Sequence, residues 1–223
     1  AADGATDLSL TDALAQGGAD PDDEALAASL AWVSATSGVD PGRASTWYPP
    51  KILPDVLVGA RGDVGAIVAA AAEGLDISLS SPVVRVAHDD SGVSLRLGTG
   101  ESLSFDRAIV TVPLGVLQKG GIEFAPALPL SHRGAIAELA PGAIETVWLR
   151  FDTPFWQTEA AIWHIIGGDA SIRTWLNLAP ATGEPVLVGL VGGADAEAFA
   201  ALDDEAAEQA AAASLAYLIP SDG

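Results

Sequence analysis

The amino-acid sequence predicts an α+β fold in which two groups of helices flank two sheets. Apolar residues recur at helical spacing in several segments, as at Leu26, Leu30 and Val33. From Ile77 the period changes to two, which is typical of strands that bury one face. Turn-forming residues such as Asp89-Asp90-Ser91-Gly92 follow these strands closely, and this arrangement predicts antiparallel pairing.

Helices are predicted in the first quarter of the chain. A short helical patch covers residues 8–15. A second helix is predicted to start at Asp20, because Asp20 can cap it and Pro21 suits its first position. Gly38 predicts its end. After an irregular stretch, a short apolar strand is predicted at residues 55–58.

The next segment is predicted to be a helix followed by a β-meander. The helix covers residues 64–73 and is closed by Gly74. Three antiparallel strands follow in residues 83–88, 93–97 and 103–105. Residues 108–113 are continuously apolar and β-branched up to Pro113, so they predict a strand that is buried on both faces.

The C-terminal half is predicted to hold the second sheet. Residues 114–130 are Pro-rich and loop-like, and a helix covers residues 131–139. An Ala-rich helix in residues 203–218 ends the pattern. Between these helices four strands are predicted, in residues 145–151, 161–166, 172–178 and 185–191.

Composition excludes several classes of function. The net charge near -20 repels phosphate backbones and anionic membrane surfaces, so no nucleic-acid or membrane partner is expected. The chain has no cysteine, which excludes disulfides and thiol nucleophiles. No metal site is predicted either. We expect a soluble protein and favour the cytoplasm, although composition leaves the compartment open. The abrupt ends of the chain suggest part of a longer protein.

Three stretches carry a more specific pattern. The first runs from the predicted strand at 55–58 through the helix to residue 77. The second joins the meander to the segment TVPLGVL at residues 111–117. The third joins FxPxLP at residues 124–129 to FxxxFW at residues 151–156. In this order and spacing the motifs resemble the flavin-containing amine oxidase family, which includes monoamine and polyamine oxidases, L-amino-acid oxidases and lysine-specific histone demethylases.

The resemblance implies a division of the chain within an α/β family context. Residues 1–54 would be the helical part of a substrate domain, and residues 55–117 the middle part of an FAD-binding domain that includes the meander. Residues 118–223 would supply the antiparallel or mixed substrate-domain sheet and its helices. The Gly-x-Gly-x-x-Gly turn of the family and its C-terminal FAD segment are absent from the sequence, so we expect only weak FAD binding.

The resemblance also implies site residues. Val83 would offer backbone groups to the adenine of FAD, and Thr111, Val112 and Pro113 would lie near the flavin. A family lysine that is hydrogen-bonded through water to flavin N5 stands five residues before the Phe of FxxxFW. Thr146 occupies that position here, so Thr146 is the candidate catalytic residue.

Two tryptophans are candidates for the substrate pocket. Trp163 and Trp175 lie in predicted strands, and alternation places Trp163 on the face opposite His164. The alternative is that both tryptophans pack in the core, as most aromatic residues in strands do.

Two functions remain open. The resemblance implies the central, mainly substrate-binding portion of an FAD-dependent oxidoreductase that acts on a small amine or amino-acid-like substrate. It would oxidise a C–N bond with hydride transfer to flavin, and O2 would yield H2O2. The 223 residues alone are expected to be inactive. The alternative is a non-catalytic, flavin-free binding or scaffold domain. The oligomeric state is left open.

Overall fold

The computed structural model describes residues 6–51 and 63–219. The chain divides into two compact units, one made of residues 1–58 and 142–223 and the other of residues 59–141. The strand predicted at residues 55–58 and the glycine turn after it lie outside the described residues.

The described residues form eight helices and eight strands. The helices are α1 (Leu10–Gln16), α2 (Glu24–Ser37), α3 (Val64–Ala72), α4 (Leu114–Gln118), α5 (Leu130–Glu138), α6 (Ala179–Thr182), α7 (Ala194–Ala200) and α8 (Asp204–Leu215). The strands are β1 (Val83–Asp89), β2 (Gly92–Leu97), β3 (Ser102–Phe105), β4 (Glu123–Ala125), β5 (Ile144–Arg150), β6 (Ile162–His164), β7 (Thr174–Asn177) and β8 (Val186–Gly192).

The first unit is built on a four-stranded antiparallel sheet with the strand order β5-β8-β7-β6. These strands match the four candidates in residues 145–191 to within a few residues. Helices α7 and α8 pack on one face, where Trp175, Ile172 and Leu187 are completely buried. This face supplies most of the apolar burial that stabilises the unit.

Helix α2 packs on the opposite face of the same sheet. The ring of Trp32 on α2 meets the ring of His164 on β6 edge-on, with centroids 5.1 Å apart. The helix begins at Glu24 because Asp23 caps it, accepting from the main-chain N–H of Ala25 at 2.8 Å. Asp20, the predicted cap, instead accepts from the N–H of Asp22 in the preceding turn.

The second unit contains a sheet with the strand order β3-β2-β1-β4. Strands β1, β2 and β3 are consecutive antiparallel neighbours. Strand β4 then pairs with β1 in parallel, with Val86 opposite Phe124. This pairing joins residues 123–125 to the meander, and the compact unit that contains the meander ends at Pro141.

Several predictions about regular structure need correction. Residues 114–130, which were predicted to be loop-like, contain α4 and β4. Residues 108–113 form no strand, and Ile109 is 90% exposed, because these residues have no strand partner among the described residues. The helix predicted for residues 203–218 ends early at Leu215. The apolar helix α3 is formed as predicted, yet Val64, Ile67 and Val68 are exposed on it.

Candidate functional site

Strand β5 presents an open face that includes the candidate catalytic residue. Ile144, Thr146 and Trp148 alternate along this face and are exposed, with Trp148 at 65%. The indole Nε1–H of Trp148 donates a hydrogen bond of 3.2 Å to Thr146 Oγ1. Thr146 stands opposite Leu190 on β8, on the face that α2 covers further along the sheet. The ring of Trp148 and the hydroxyl group of Thr146 are therefore exposed side by side on this face.

Main-chain hydrogen bonds hold the start of β5 in place. The N–H of Ala143 donates to the carbonyl of Gly38 at 2.8 Å, and the N–H of Gly193 donates to the carbonyl of Ala143 at 2.9 Å. Gly38 ends α2 in the left-handed conformation, with φ of 72°, which favours glycine. The position of Thr146 thus depends on the end of α2 and the end of β8.

Trp163 and Trp175 lie on the other face of the sheet. They pair with each other across β6 and β7, and Gly189 and Val147 continue the same row. Trp175 is completely buried, and its Nε1–H donates to the carbonyl of Ile172 at 3.1 Å. A side chain with no exposed surface lines no open pocket, so Trp175 acts here as a core residue.

Trp163 is half-buried and belongs to an aromatic cluster. Its ring centroid lies 5.5 Å from that of Trp156, and its Nε1–H donates to the carbonyl of Ala160 at 2.8 Å. Both tryptophans therefore pack against other side chains of the core, which is the alternative to a role in the substrate pocket. The structure does not bring them together with Thr146.

His164 shares the face of Thr146 and contacts α2. Its Nδ1 lies 3.4 Å from Thr174 Oγ1, and Trp32 covers one side of the ring. Burial lowers the pKa of His164, because the charged imidazolium loses solvation there. The sequence placed His164 opposite Trp163 by alternation, and the register shows the same arrangement.

Another cleft of the first unit, about 510 Å³ in volume, includes Arg173 in its lining. The guanidinium donates to the carbonyls of Gly167 at 2.9 Å and Gly168 at 2.6 Å. Its donors are thus used to fix the loop before β7. The sequence alone gave no sign of this role.

The second unit brings three of the predicted cofactor residues together. Val83, Thr111 and Val112 line one mainly apolar cleft of about 180 Å³. Pro113 lies beyond this lining and forms the N-terminal boundary of α4. These residues come from β1 and from the exposed segment before α4, which are separated by more than twenty residues of sequence.

The edge of β1 near Val83 suits a flat ligand. Strand β4 pairs with β1 only at Arg85, Val86 and Ala87, so the start of β1 has a strand neighbour on the β2 side alone among the described residues. Backbone donors and acceptors are obligatory hydrogen-bonding groups. An adenine or a similar heterocycle could pair with this free edge.

The same cleft is too small to enclose a dinucleotide. Sites for small molecules and cofactors usually occupy about 300–1,000 Å³. A Gly-x-Gly-x-x-Gly turn for a pyrophosphate is also absent from the sequence. The cleft and the edge of β1 therefore offer contacts to one side of a ligand and do not enclose a dinucleotide.

No group of three or more His, Asp or Glu side chains gathers among the described residues in a way that could hold a metal ion. None of the helices in residues 6–51 and 63–219 is both long and apolar enough to span a membrane.

Comparison with known proteins gives a consistent result. The family model of the flavin containing amine oxidoreductases matches residues 10–223. Polyamine oxidase 4 of Oryza sativa subsp. japonica is 36% identical over 154 residues, which cover 69% of this chain and 32% of the relative. Polyamine oxidase 2 of Arabidopsis thaliana is 32% identical over 181 residues, which cover 79% of this chain and 36% of the relative. Lysine-specific histone demethylase 2 of Homo sapiens is 33% identical over 159 residues, which cover 68% of this chain and 19% of the relative.

A solved structure supports the fold. Wild-type putrescine oxidase bound to putrescine superposes with a TM-score of 0.57 at 24% identity, covering 69% of this chain and 34% of that one. The match shows a mixed fold of helices and two sheets similar to that enzyme. The chain spans about a third of the length of the polyamine oxidases that it matches. Since the family model covers nearly the whole sequence, the chain belongs to the flavin-containing amine oxidoreductase family.

Proposed function

We propose that the chain is the central, mainly substrate-binding portion of an FAD-dependent oxidoreductase that oxidises a C–N bond of a small amine. The observation that carries the proposal is the convergence of Val83, Thr111 and Val112 on one cleft, in a chain that belongs to this family. When bound, FAD would accept a hydride from the carbon next to nitrogen and pass the electrons to O2, with formation of H2O2.

The two compact units have different roles in this proposal. Residues 59–141, with the meander and the small cleft, form the middle part of the FAD-binding domain. The sheet of the first unit and its helices belong to the substrate domain. Its open face on β5 carries Thr146, so this is the face that we assign to the flavin and substrate.

The second unit provides contacts for one side of the cofactor. The free edge of β1 at Val83 offers main-chain groups for hydrogen bonds to the adenine. Thr111 and Val112 line one wall of the cleft, and Pro113 turns the chain away without offering a further N–H. Phosphate contacts and much of the enclosure would come from other parts of a longer protein.

Thr146 differs chemically from the lysine whose position it takes. A lysine carries a positive charge and can release or take up a proton near its pKa. A threonine hydroxyl can hold a water molecule or donate one hydrogen bond, but it brings no charge. We therefore infer that reoxidation by O2 is slower here than in a relative with lysine.

Amines are the substrate class that the family membership favours. Two of the relatives are named polyamine oxidases, and the solved structure of similar fold binds putrescine. The net charge near -20 attracts cations to the protein surface, which favours the encounter with an ammonium compound. We propose a small-molecule amine or amino-acid-like substrate.

A second candidate function is a flavin-free binding or scaffold domain. Two observations favour it: the cleft of about 180 Å³ is small, and Thr146 replaces the lysine. This function would keep the substrate-domain sheet and would use neither FAD nor O2.

Flavin uptake tests the two functions against each other. The 223-residue chain and a longer protein that carries it are mixed with excess FAD, desalted and scanned at about 450 nm, where bound flavin absorbs. We expect a colourless chain and a yellow longer protein. Stoichiometric FAD on the isolated chain would contradict the division of roles, and a longer protein unable to bind FAD would support the scaffold function.

A further inference from the structure

Trp148 is an unusually placed tryptophan. Its side chain stands on the open face of β5 at 65% exposure, whereas buried aromatic residues typically remove 150–250 Å² from water. Ile144, four residues before it on the same face, is 45% exposed. Large apolar side chains that are exposed on one face of a sheet commonly mark a contact surface. Packing within this unit does not explain why a tryptophan occupies this exposed position.

The hydrogen bond of Trp148 also differs from those of the other two tryptophans in this sheet. Trp163 and Trp175 donate to main-chain carbonyls, of Ala160 and Ile172, and these bonds stabilise the fold. Trp148 donates to the side-chain oxygen of Thr146, the residue at the family lysine position. Its indole therefore acts on a candidate site residue and not on the backbone.

The direction of this bond decides what Thr146 can do. An indole N–H is only a donor, so Thr146 Oγ1 is the acceptor. The hydroxyl hydrogen then remains for another partner, and none is found for it in residues 6–51 and 63–219. Accepting one hydrogen bond also polarises a hydroxyl and makes it a better donor.

We propose that Trp148 is a positioning residue, which holds Thr146 Oγ1 as an acceptor so that the Thr146 hydroxyl donates to a ligand atom on the open face of β5. The ligand atom is a hydrogen-bond acceptor, reached directly or through one water molecule. The inference rests on the proposed function, in which this face meets the flavin and the substrate.

A double-mutant cycle in the longer, FAD-loaded protein tests the proposal. Trp148→Phe keeps an aromatic ring but removes the N–H, and Thr146→Val keeps the shape but removes the hydroxyl. The flavin is photoreduced without substrate and reoxidised with O2, so the readout does not depend on which amine is used. The visible absorbance spectrum of the oxidised flavin is the second readout.

We expect each single variant to lower the reoxidation rate constant about 3- to 10-fold, the effect of one lost hydrogen bond. The double variant should be no slower than Thr146→Val alone, because Trp148 acts through Thr146. Trp148→His, which can again present a ring N–H, should recover part of the rate. Trp47→Phe, at another exposed tryptophan of the same unit, should change neither the rate nor the spectrum.

The outcomes separate this inference from the proposed function. The positioning role alone would be overturned if the effects of the two single variants on the reoxidation rate multiplied in the double variant. It would also be overturned if the Trp148→Phe protein were reoxidised as fast as wild type. A longer wild-type protein that binds no FAD would overturn the proposed function and this inference together. Thermal unfolding of each variant checks that the fold is unchanged.

Discussion

Gly192 at the end of β8 lies directly against the main chain of Ser34 on α2, so that the helix crosses the strand where no side chain fits. A Cβ built on Gly192 would collide with the carbonyl group of Ser34. This close approach fixes the distance between α2 and the sheet that carries Thr146. It also explains why the last residue of β8 is a glycine.

Gly192→Ala is therefore expected to destabilise the first unit by about 1–3 kcal/mol or more, since overpacking forces the helix away from the strand. Urea unfolding followed by tryptophan fluorescence measures the effect. Gly17→Ala is the control in the same unit, because Gly17 has an ordinary helical conformation and its Cβ would come no closer than 3.3 Å to its neighbours. An equal loss in both variants would contradict the close approach of α2.

Trp175→Ala is expected to lower the free energy of unfolding by about 3–5 kcal/mol, the usual cost of removing a fully buried aromatic side chain. Trp148→Ala, on the open face, should cost about 0.5 kcal/mol or less. Both are measured by chemical denaturation of the same unit. If the Trp148 variant were the less stable, the assignment of the two faces would be wrong.

The stability of the chain should depend on pH through His164. Burial lowers the pKa of His164 in the folded state, so the unfolded state binds a proton first as the pH falls. Stability is then full above the unfolded pKa of about 6.5 and declines as the pH falls towards the lower folded pKa. Denaturation midpoints between pH 8 and pH 5.5 measure the decline.

His164→Asn removes this titration and keeps a polar group near Thr174. The variant should therefore show a smaller decline than wild type over the same range. The comparison at pH 8, where the imidazole is neutral, gives the cost of the substitution itself. Identical pH profiles for the two proteins would show that His164 makes no contribution.

Val112→Trp should weaken FAD binding by the longer protein, because the larger side chain fills the cleft of about 180 Å³. We expect at least a tenfold rise in the dissociation constant, which corresponds to about 1.4 kcal/mol. Val116→Trp, on the exposed side of α4 and outside the cleft lining, is the matched control. Equal affinity of the Val112 variant and wild type would remove this cleft from the flavin site.

Thr146→Lys in the longer protein should speed the reoxidation of reduced flavin by O2. The ammonium group restores the charge that the resemblance assigns to this position. Stopped-flow absorbance at about 450 nm measures the rate, with substrate reduction measured separately. An unchanged reoxidation rate would count against placing Thr146 at the lysine position.

The sequence predicted regular structure best where the determinants are local. The four strands of the first unit and the three strands of the meander follow from alternation and turn residues alone. The start of α2 was misplaced by a few residues because both Asp20 and Asp23 can cap a helix, and only the fold selects Asp23. Residues 108–113 have the composition of a buried strand but lack a strand partner among the described residues.

The roles of site residues were harder to predict, since they depend on which face of the sheet is buried and on contacts that form only in the folded chain. Alternation correctly separated Trp163 from His164, but it could not show that the Trp163 face is the core face. Trp148 was missed because a tryptophan in a strand is usually packed. Its exposure and its bond to Thr146 appear only in three dimensions.

The exposed run at residues 108–112 affects how the chain behaves in solution. This run consists of Ala108 and four β-branched residues, and it contains no charge and no proline, which is the composition of an aggregation-prone segment. Arg107 and Pro113 flank this run and act as gatekeepers, and the net charge near -20 keeps molecules apart. Salt screens that repulsion, since the Debye length falls from about 10 Å at 0.1 M to about 3 Å at 1 M. Colloidal stability of the isolated chain is therefore electrostatic in origin and decreases as the ionic strength rises.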